Sequence, residues 1–327
     1  MPAIPSTPTP RPPVISAIDA LLLVMTLIWG TNYSIVKTAF LEIDAQAFNA
    51  LRMLIASAVF LAVIAGVRMR GWQSGPPGRF RSIVVTPEPI TRADWFWLAG
   101  LGVVGHFLYQ YFFIGGLART TVANSSLMLA ATPVVIALIS AAMGQERISR
   151  LHWFGAALSL IGIYIVIGQG ISLAGTTITG DVMMFVAVCC WALYTLGARE
   201  LIQRHSPVGV TGISMAIGTA IYVPVMVPNL LRTEWGAVST STWIALVYSA
   251  LFALCVAYTI WYMAVREIGS ARTSVYSNLV PIVAMLTAVV FLGEHLTAAR
   301  LAGAAAVLVG VALTRVGKAA PIVCPEE

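Results

Sequence analysis

Charge is scarce in this chain. Lys, Arg, Asp and Glu make up 10% of its 327 residues, hydrophobic residues 59%, and the mean hydropathy is +0.88. Soluble domains carry roughly 25% charged residues. Too few polar side chains remain to cover a water-facing globule of this size, so the bilayer is the natural solvent. Cysteine is equally sparse. Cys189, Cys190 and Cys255 sit inside apolar runs and Cys324 lies near the end, with no C-x-x-C pair, so neither a disulfide framework nor a thiolate metal site is expected. Four histidines form no cluster, and no cofactor is expected. There is no Walker A motif, which argues against direct ATP drive. The apolar runs hold one histidine and no carboxylate beyond their ends, so a membrane-embedded enzyme would have no acid/base pair to work with. The first 15 residues contain Pro2, Pro5, Pro8, Pro10, Pro12 and Pro13. That composition reads as a disordered tail, not as the charged start of a cleaved signal.

What is abundant is apolar length. A spanning helix needs about 20 mostly apolar residues. Ten such runs are found, at 17–37, 46–67, 95–117, 120–143, 152–170, 181–199, 208–230, 242–264, 271–293 and 298–316. The fold class is therefore an all-α polytopic membrane protein. The one long polar connection is 68–94. With the N-terminus cytoplasmic, fourteen of the nineteen basic residues fall in inner segments and four (Lys37, Arg119, Arg232, Arg300) in outer ones, while Arg52 lies inside a span. That bias predicts both termini inside. It also accounts for the net charge of +6 without a nucleic-acid partner.

The chain repeats itself. Residues 115–168 recur as 263–316 at an offset of 148, pairing Pro133 with Pro281, Glu146 with Glu294, Gly155 with Gly303 and Gly162 with Gly310. The first spans of the halves align at an offset of 162, pairing Asp19 with Asp181 and Trp29 with Trp191. The repeats are expected at 17–170 and 181–316, between a tail of 1–16 and a cytoplasmic tail of 317–327. Each half holds five spans, an odd number, so the second half enters the membrane inverted. Inverted repeats place a substrate site at their junction and suit alternating access.

The opening Leu27-Ile28-Trp29-Gly30-Thr31-Asn32-Tyr33, the Arg52 of Ala50-Leu51-Arg52 and the late Phe291-Leu292-Gly293-Glu294-His295-Leu296-Thr297 resemble the EamA family of the drug/metabolite transporter superfamily. The resemblance covers about residues 17–316. The first half departs in Met143-Gly144-Gln145-Glu146, where the glycine stands one place early, and the second in Trp191-Ala192. The resemblance implies a bacterial inner-membrane exporter of amino acids, other small metabolites or drugs. It also implies a central cavity among spans one, three, four, six, eight and nine, with the fifth and tenth at the rim. Import or exchange of a sugar-like or nucleotide-linked metabolite is the alternative. The expected partners are a small-molecule substrate and the lipid bilayer, with proton coupling open and a monomer or homodimer as the assembly.

Candidate cavity residues follow from polarity in an apolar setting, because an intramembrane polar group must face protein or water. They are Trp29, Asn32 and Tyr33 in span one, with Trp191 and Tyr194 in span six. In span three they are His106, Tyr109 and Gln110; in span four, Asn124 and Met128; in span eight, Tyr258; in span nine, Tyr276 and Asn278. For each, packing against a neighbouring helix is the competing role. His106 is the one intramembrane side chain able to titrate near neutral pH, and its alternative is a neutral, hydrogen-bonded imidazole. Pro133 and Pro281 are hinge candidates or static kinks. Arg52 is either a structural anchor near the outer gate or a contact for an anionic group. Glu146 and Glu294 are expected to fix loops, with Ser149 and Thr297 capping the next helix. Trp261 and Tyr262 are expected at the cytoplasmic interface. The glycines at seven-residue spacing are expected to pack, between the halves or between protomers.

Overall fold

The structure, a computed structural model, describes residues 16–69, 79–132, 134, 135, 138, 139, 146, 147, 150–168, 176–268, 273, 276, 277, 279–295, 297–316, 320 and 321. Pro133, Asn278, Ser149, Cys324 and the proline-rich tail lie outside them, as does the side chain of Glu146. Apart from a two-residue antiparallel pairing of β1 (Glu146–Arg147) with β2 (Ala320–Pro321), the described chain is helical.

Among the described residues, six helical segments are long and apolar enough to cross a bilayer: Ala17–Ala39, Ala45–Met69, Arg92–Arg119, Ile178–Arg204, Pro207–Val225 and Thr240–Ile268. The first is α1, opened by a capping box in which Ser16 and Asp19 satisfy each other's backbone amides. The second is α2 (Ala45–Met69). After a short α3 (Arg79–Val84), Thr91 and Asp94 form a second capping box that starts α4 (Arg92–Leu101). This helix continues as a π-helical segment, Gly102–Leu108, and then as α5 (Tyr109–Arg119). Next come α6 (Val122–Ala130), α7 (Arg150–Gly168), α8 (Thr176–Arg204) and α9 (Pro207–Val225). The run expected at 208–230 breaks at Met226, because Pro228 sits in the first turn of a new short helix, α10 (Val227–Arg232). The chain then forms α11 (Thr240–Tyr248), a second π segment (Ser249–Val256), α12 (Ala257–Ile268), α13 (Val280–Leu292) and α14 (Ala298–Val316). Leu27, Phe96, Phe154, Tyr164, Leu286 and Phe291 are exposed and present an apolar belt outward.

The first helices of the two repeats run in opposite directions. Lys37, in the last turn of α1, donates to the carbonyls of Leu117, Ala118 and Thr120. Thr120 donates in turn to Asp181, near the start of α8. The end of α1 thus lies where α8 begins, while Trp29 and Trp191 touch at mid-length.

Among the described residues, contacts join positions separated by one of the two repeat offsets, 148 or 162. The ring centroids of Trp29 and Trp191 are 6.1 Å apart. Ser57 and Thr219 share a 2.8 Å hydroxyl bond. Gln110 Nε2 lies 3.5 Å from the Tyr258 hydroxyl, and Ser159 donates to the Val307 carbonyl at 3.2 Å. Equivalent residues that touch lie on the axis relating the two copies, as in an isologous contact. The glycine pattern closes the same way. A Cβ on Gly162 would meet the Gly303 carbonyl at 2.7 Å, and one on Gly310 would meet the Gly155 carbonyl at 2.5 Å. The glycines therefore serve a contact between the halves of one chain, α7 against α14.

Candidate functional site: an aromatic centre with a buried arginine

The two π segments occupy equivalent places, since Leu108 and Val256 end them 148 residues apart. Such segments are rare and often occur at functional sites. The first is built for close approach. A Cβ on Gly105 would overlap the Tyr194 ring, and one on Gly218 would lie 2.5 Å from the Cβ of His106. Into the second, Trp29 sends its indole N–H, which donates to the Ala253 carbonyl at 3.0 Å.

Around these segments the sequence-predicted aromatics converge. Trp29 packs edge-on against Trp191 and Tyr258, and tilted against Trp261 at 5.7 Å. Trp191 also touches Tyr109 and Tyr194, and His106 touches Tyr194 and Tyr258. Tyr33 joins through Phe113, which stacks on Tyr109. Each aromatic pair is worth roughly 0.5–1.5 kcal/mol beyond the area it buries, so the cluster ties four spans together. His106 is fully buried, and its Nε2 lies 3.0 Å from the Tyr194 hydroxyl while Nδ1 has no partner. The Tyr194 hydroxyl is thus its hydrogen-bond partner.

Trp261 and Tyr262 correct the sequence reading. Both are buried against this centre rather than at the membrane interface. The apolar face of α12 turns inward here, and no sequence signal separates an anchoring from a core tryptophan.

Arg52 stands beside the aromatics, 1% exposed. Its Nε donates to Asn49 Oδ1 at 3.0 Å, Nη1 to Ser249 Oγ at 3.0 Å and Nη2 to Gln110 Oε1 at 2.7 Å. Gln110 passes the contact on to Tyr258. Asn49 and Ser249 were missed in the sequence, because a small polar residue in an apolar helix looks the same whether it packs or serves a charge.

The other candidates lie apart from these contacts. Asn32 and Asn124 are buried, Asn32 with its carbonyl oxygen unpartnered and Asn124 with both amide atoms unpartnered. Met128 is buried in the core. Tyr276 donates to Asp19 at 2.7 Å, which fastens span nine to the start of α1 instead of lining the centre. Pro281 is the second residue of α13, where its missing N–H costs no helical bond. Glu294 reaches across the repeats. Gly293, at φ 63°, ends α13 in the left-handed region, and the next side chain accepts from the Val122 and Ala123 amides at 2.8 and 3.3 Å. A carboxylate at a helix N-terminus satisfies free amides and opposes the helix dipole.

A model of the EamA-like transporter family matches residues 16–168 and again 178–316. The chain belongs to the EamA-like transporter family. It is thus a multi-pass membrane transporter with a small-molecule substrate, of a transporter rather than an enzyme family. Among EamA-like relatives, it is 27% identical over 218 residues to the uncharacterized transporter YyaM of Bacillus subtilis (strain 168), covering 64% of this chain and 70% of that one. It is 24% identical over 301 residues to a protein of Salmonella typhimurium named a probable amino-acid metabolite efflux pump, covering 89% and 92%. A solved crystal structure superposes with a TM-score of 0.60 at 20% identity, over 91% of this chain and 96% of that one, a likeness of fold.

Proposed function

We propose that this chain is a secondary active exporter of a small amphipathic metabolite such as an amino acid. It works by alternating access around the junction of two inverted five-span repeats, 17–170 and 181–316. The observation that carries the reading is the meeting of Trp29 with Trp191 and of Gln110 with Tyr258. These pairs mark the axis between the halves, where an inverted-repeat carrier exposes its site to either side. The ten spans are the six long helices, α6 and its continuation, α7, α13 and α14. The charge bias puts both termini in the cytoplasm, probing which would use the inner membrane of a bacterial host.

With that orientation, the end bearing Glu42 faces outward and the end bearing Asp94 inward. Each end carries its own ties. Outside, Lys37 caps α5, Glu294 caps α6 and Glu42 holds Ser239. Inside, Arg204 pairs with the buried Asp94 at 2.8 Å, the ring of His205 lies 3.2 Å from the same carboxylate, and Tyr276 holds Asp19. Alternating access breaks one set while keeping the other. Aromatic faces with few charges suit a solute of mixed polarity, and the Salmonella relative's name points to amino-acid metabolites. His106 and Tyr194 are the groups placed to couple substrate to protons.

The test is uptake into everted vesicles or proteoliposomes, from a labelled panel of amino acids, sugars and nucleotide-linked metabolites, with and without an imposed proton gradient. Saturable flux of an amino acid that falls in Asn32→Ala supports the reading. Loss of gradient dependence in His106→Ala alone supports the coupling role. Flux confined to sugars or nucleotide-linked solutes sinks it.

A further inference from the structure

We propose that Arg52 receives the carboxylate of the transported solute, which makes the substrates amphipathic carboxylic acids and excludes amines and neutral sugars. The inference rests on the carrier reading above and narrows it.

A guanidinium has five N–H donors and is charged at any physiological pH. Arg52 spends three of them, all on neutral acceptors from Asn49, Ser249 and Gln110. Among the described residues it makes no ion pair. A charge taken out of water into low dielectric costs several kcal/mol unless a counter-charge meets it. The acidic side chains at the same end of the molecule are Glu42, Asp44, Asp181, Glu234 and Glu294, and none of them reaches Arg52: Asp181 accepts from Thr120, Glu294 accepts from the Val122 and Ala123 amides, and Glu234 is exposed. Glu42 accepts from Ser239, and Asp44 accepts from the Gln46 and Ala47 amides and from Asn229. Residues of three spans thus hold a buried cation, and none of the described residues supplies it with an anion.

The surroundings define the rest of the ligand. Gln110 turns its oxygen to Arg52 and its nitrogen to Tyr258. Tyr258 packs edge-on against Trp29 and Trp191. A carboxylate that takes the place of the Gln110 oxygen meets the guanidinium in bidentate geometry, the strong form of this contact. Its apolar body then lies on the two tryptophans. The repeat fixes polarity as well. Ser214 stands 162 residues after Arg52, at its counterpart in the second half, and bonds to the Val210 carbonyl. The cation exists on one side of the axis only, so the ligand enters with one end first.

The experiment uses the purified full chain in lipid nanodiscs and follows tryptophan fluorescence, since Trp29, Trp191 and Trp261 line the centre. The probes are L-phenylalanine and L-leucine, their carboxamides, their decarboxylated amines and the corresponding amine-free acids. The acids and amino acids are expected to give saturable changes, and the amides and amines none. Arg52→Gln is expected to weaken binding by about tenfold or more, and Arg52→Lys to restore part of it. Gln110→Glu supplies a resident carboxylate. It is expected to raise the melting temperature and abolish binding, a pair of effects that a merely structural arginine does not predict. Amides binding as well as acids, unchanged affinity in Gln110→Glu, or no saturable change with any acid overturns the assignment. Proteoliposome flux separates this inference from the carrier reading. Acids that bind without flux sink the carrier and leave Arg52 standing, whereas flux of amines with acids inert does the reverse.

Discussion

Gln110 and Tyr258 occupy the same position in two repeats, 148 residues apart, and their side chains meet. Neither is the other's like, one an amide and one a phenol, yet each sits two residues beyond a π segment and faces its twin. Interhelical hydrogen bonds in membranes average about 0.6 kcal/mol. Tyr258→Phe is therefore expected to lower the melting temperature only slightly. It also frees the Gln110 amide that orients toward Arg52, so transport is expected to fall far more than stability. Parallel melting and flux measurements check this. Equal losses in both would make the contact structural.

Gly105 is the narrowest point of the site. A methyl there runs into the Tyr194 ring, which cannot recede because His106, Trp191 and Tyr262 surround it. Overpacking of this kind costs typically 1–3 kcal/mol. Gly105→Ala is expected to destabilise by that amount and to break the bond between His106 and Tyr194. The double variant Gly105→Ala with Tyr194→Leu, which clears the space, is expected to recover stability but not flux. Thermal melts of the two variants decide the point.

At Gly162 and Gly310 the contact of α7 with α14 leaves no room for a side chain. Gly310→Leu is expected to separate these helices and lower the melting temperature in detergent by more than Gly236→Leu, where nothing lies within 4 Å of the added Cβ. Similar losses in both would remove the contact from the fold's support.

Glu42 gives a pH prediction at the exposed rim. The hydroxyl and then the backbone N–H of Ser239 donate to its carboxylate, which favours the charged form and holds the pKa below the ordinary glutamate value. A depressed carboxylate contributes its contact above the ordinary value and loses it as pH falls through the lowered one. The tie between the α1–α2 turn and the start of α11 should thus persist in mild acid and release only below the usual glutamate range. Spin-label distances between the two turns should broaden there in the native chain. In Glu42→Gln the transition should vanish.

Much of this was legible in the sequence, and the reason is the solvent. In a bilayer every span must be apolar, so run lengths and the repeat outline the helices, and polar exceptions stand out. Trp29, His106, Gln110, Trp191 and Tyr258 were all found that way. The two π segments left no mark, because one extra residue in a turn changes neither hydropathy nor length. Trp261 and Tyr262 misled, since aromatic residues serve both interfaces and cores. The cross-repeat reach of Glu294 depends on where α6 begins in space, which no local pattern records. Ser249 and Asn49 matter only because Arg52 is near, and nearness is what folding adds.

The pairing of Arg52 with Ser214 across the axis shows what joining two similar halves in one polypeptide permits. Two identical halves would have to carry the guanidinium twice or not at all, and two cations about one axis would repel. A fused chain can keep the charge in one copy and replace it with a hydroxyl in the other. It thereby acquires a direction along the membrane normal that exact symmetry forbids.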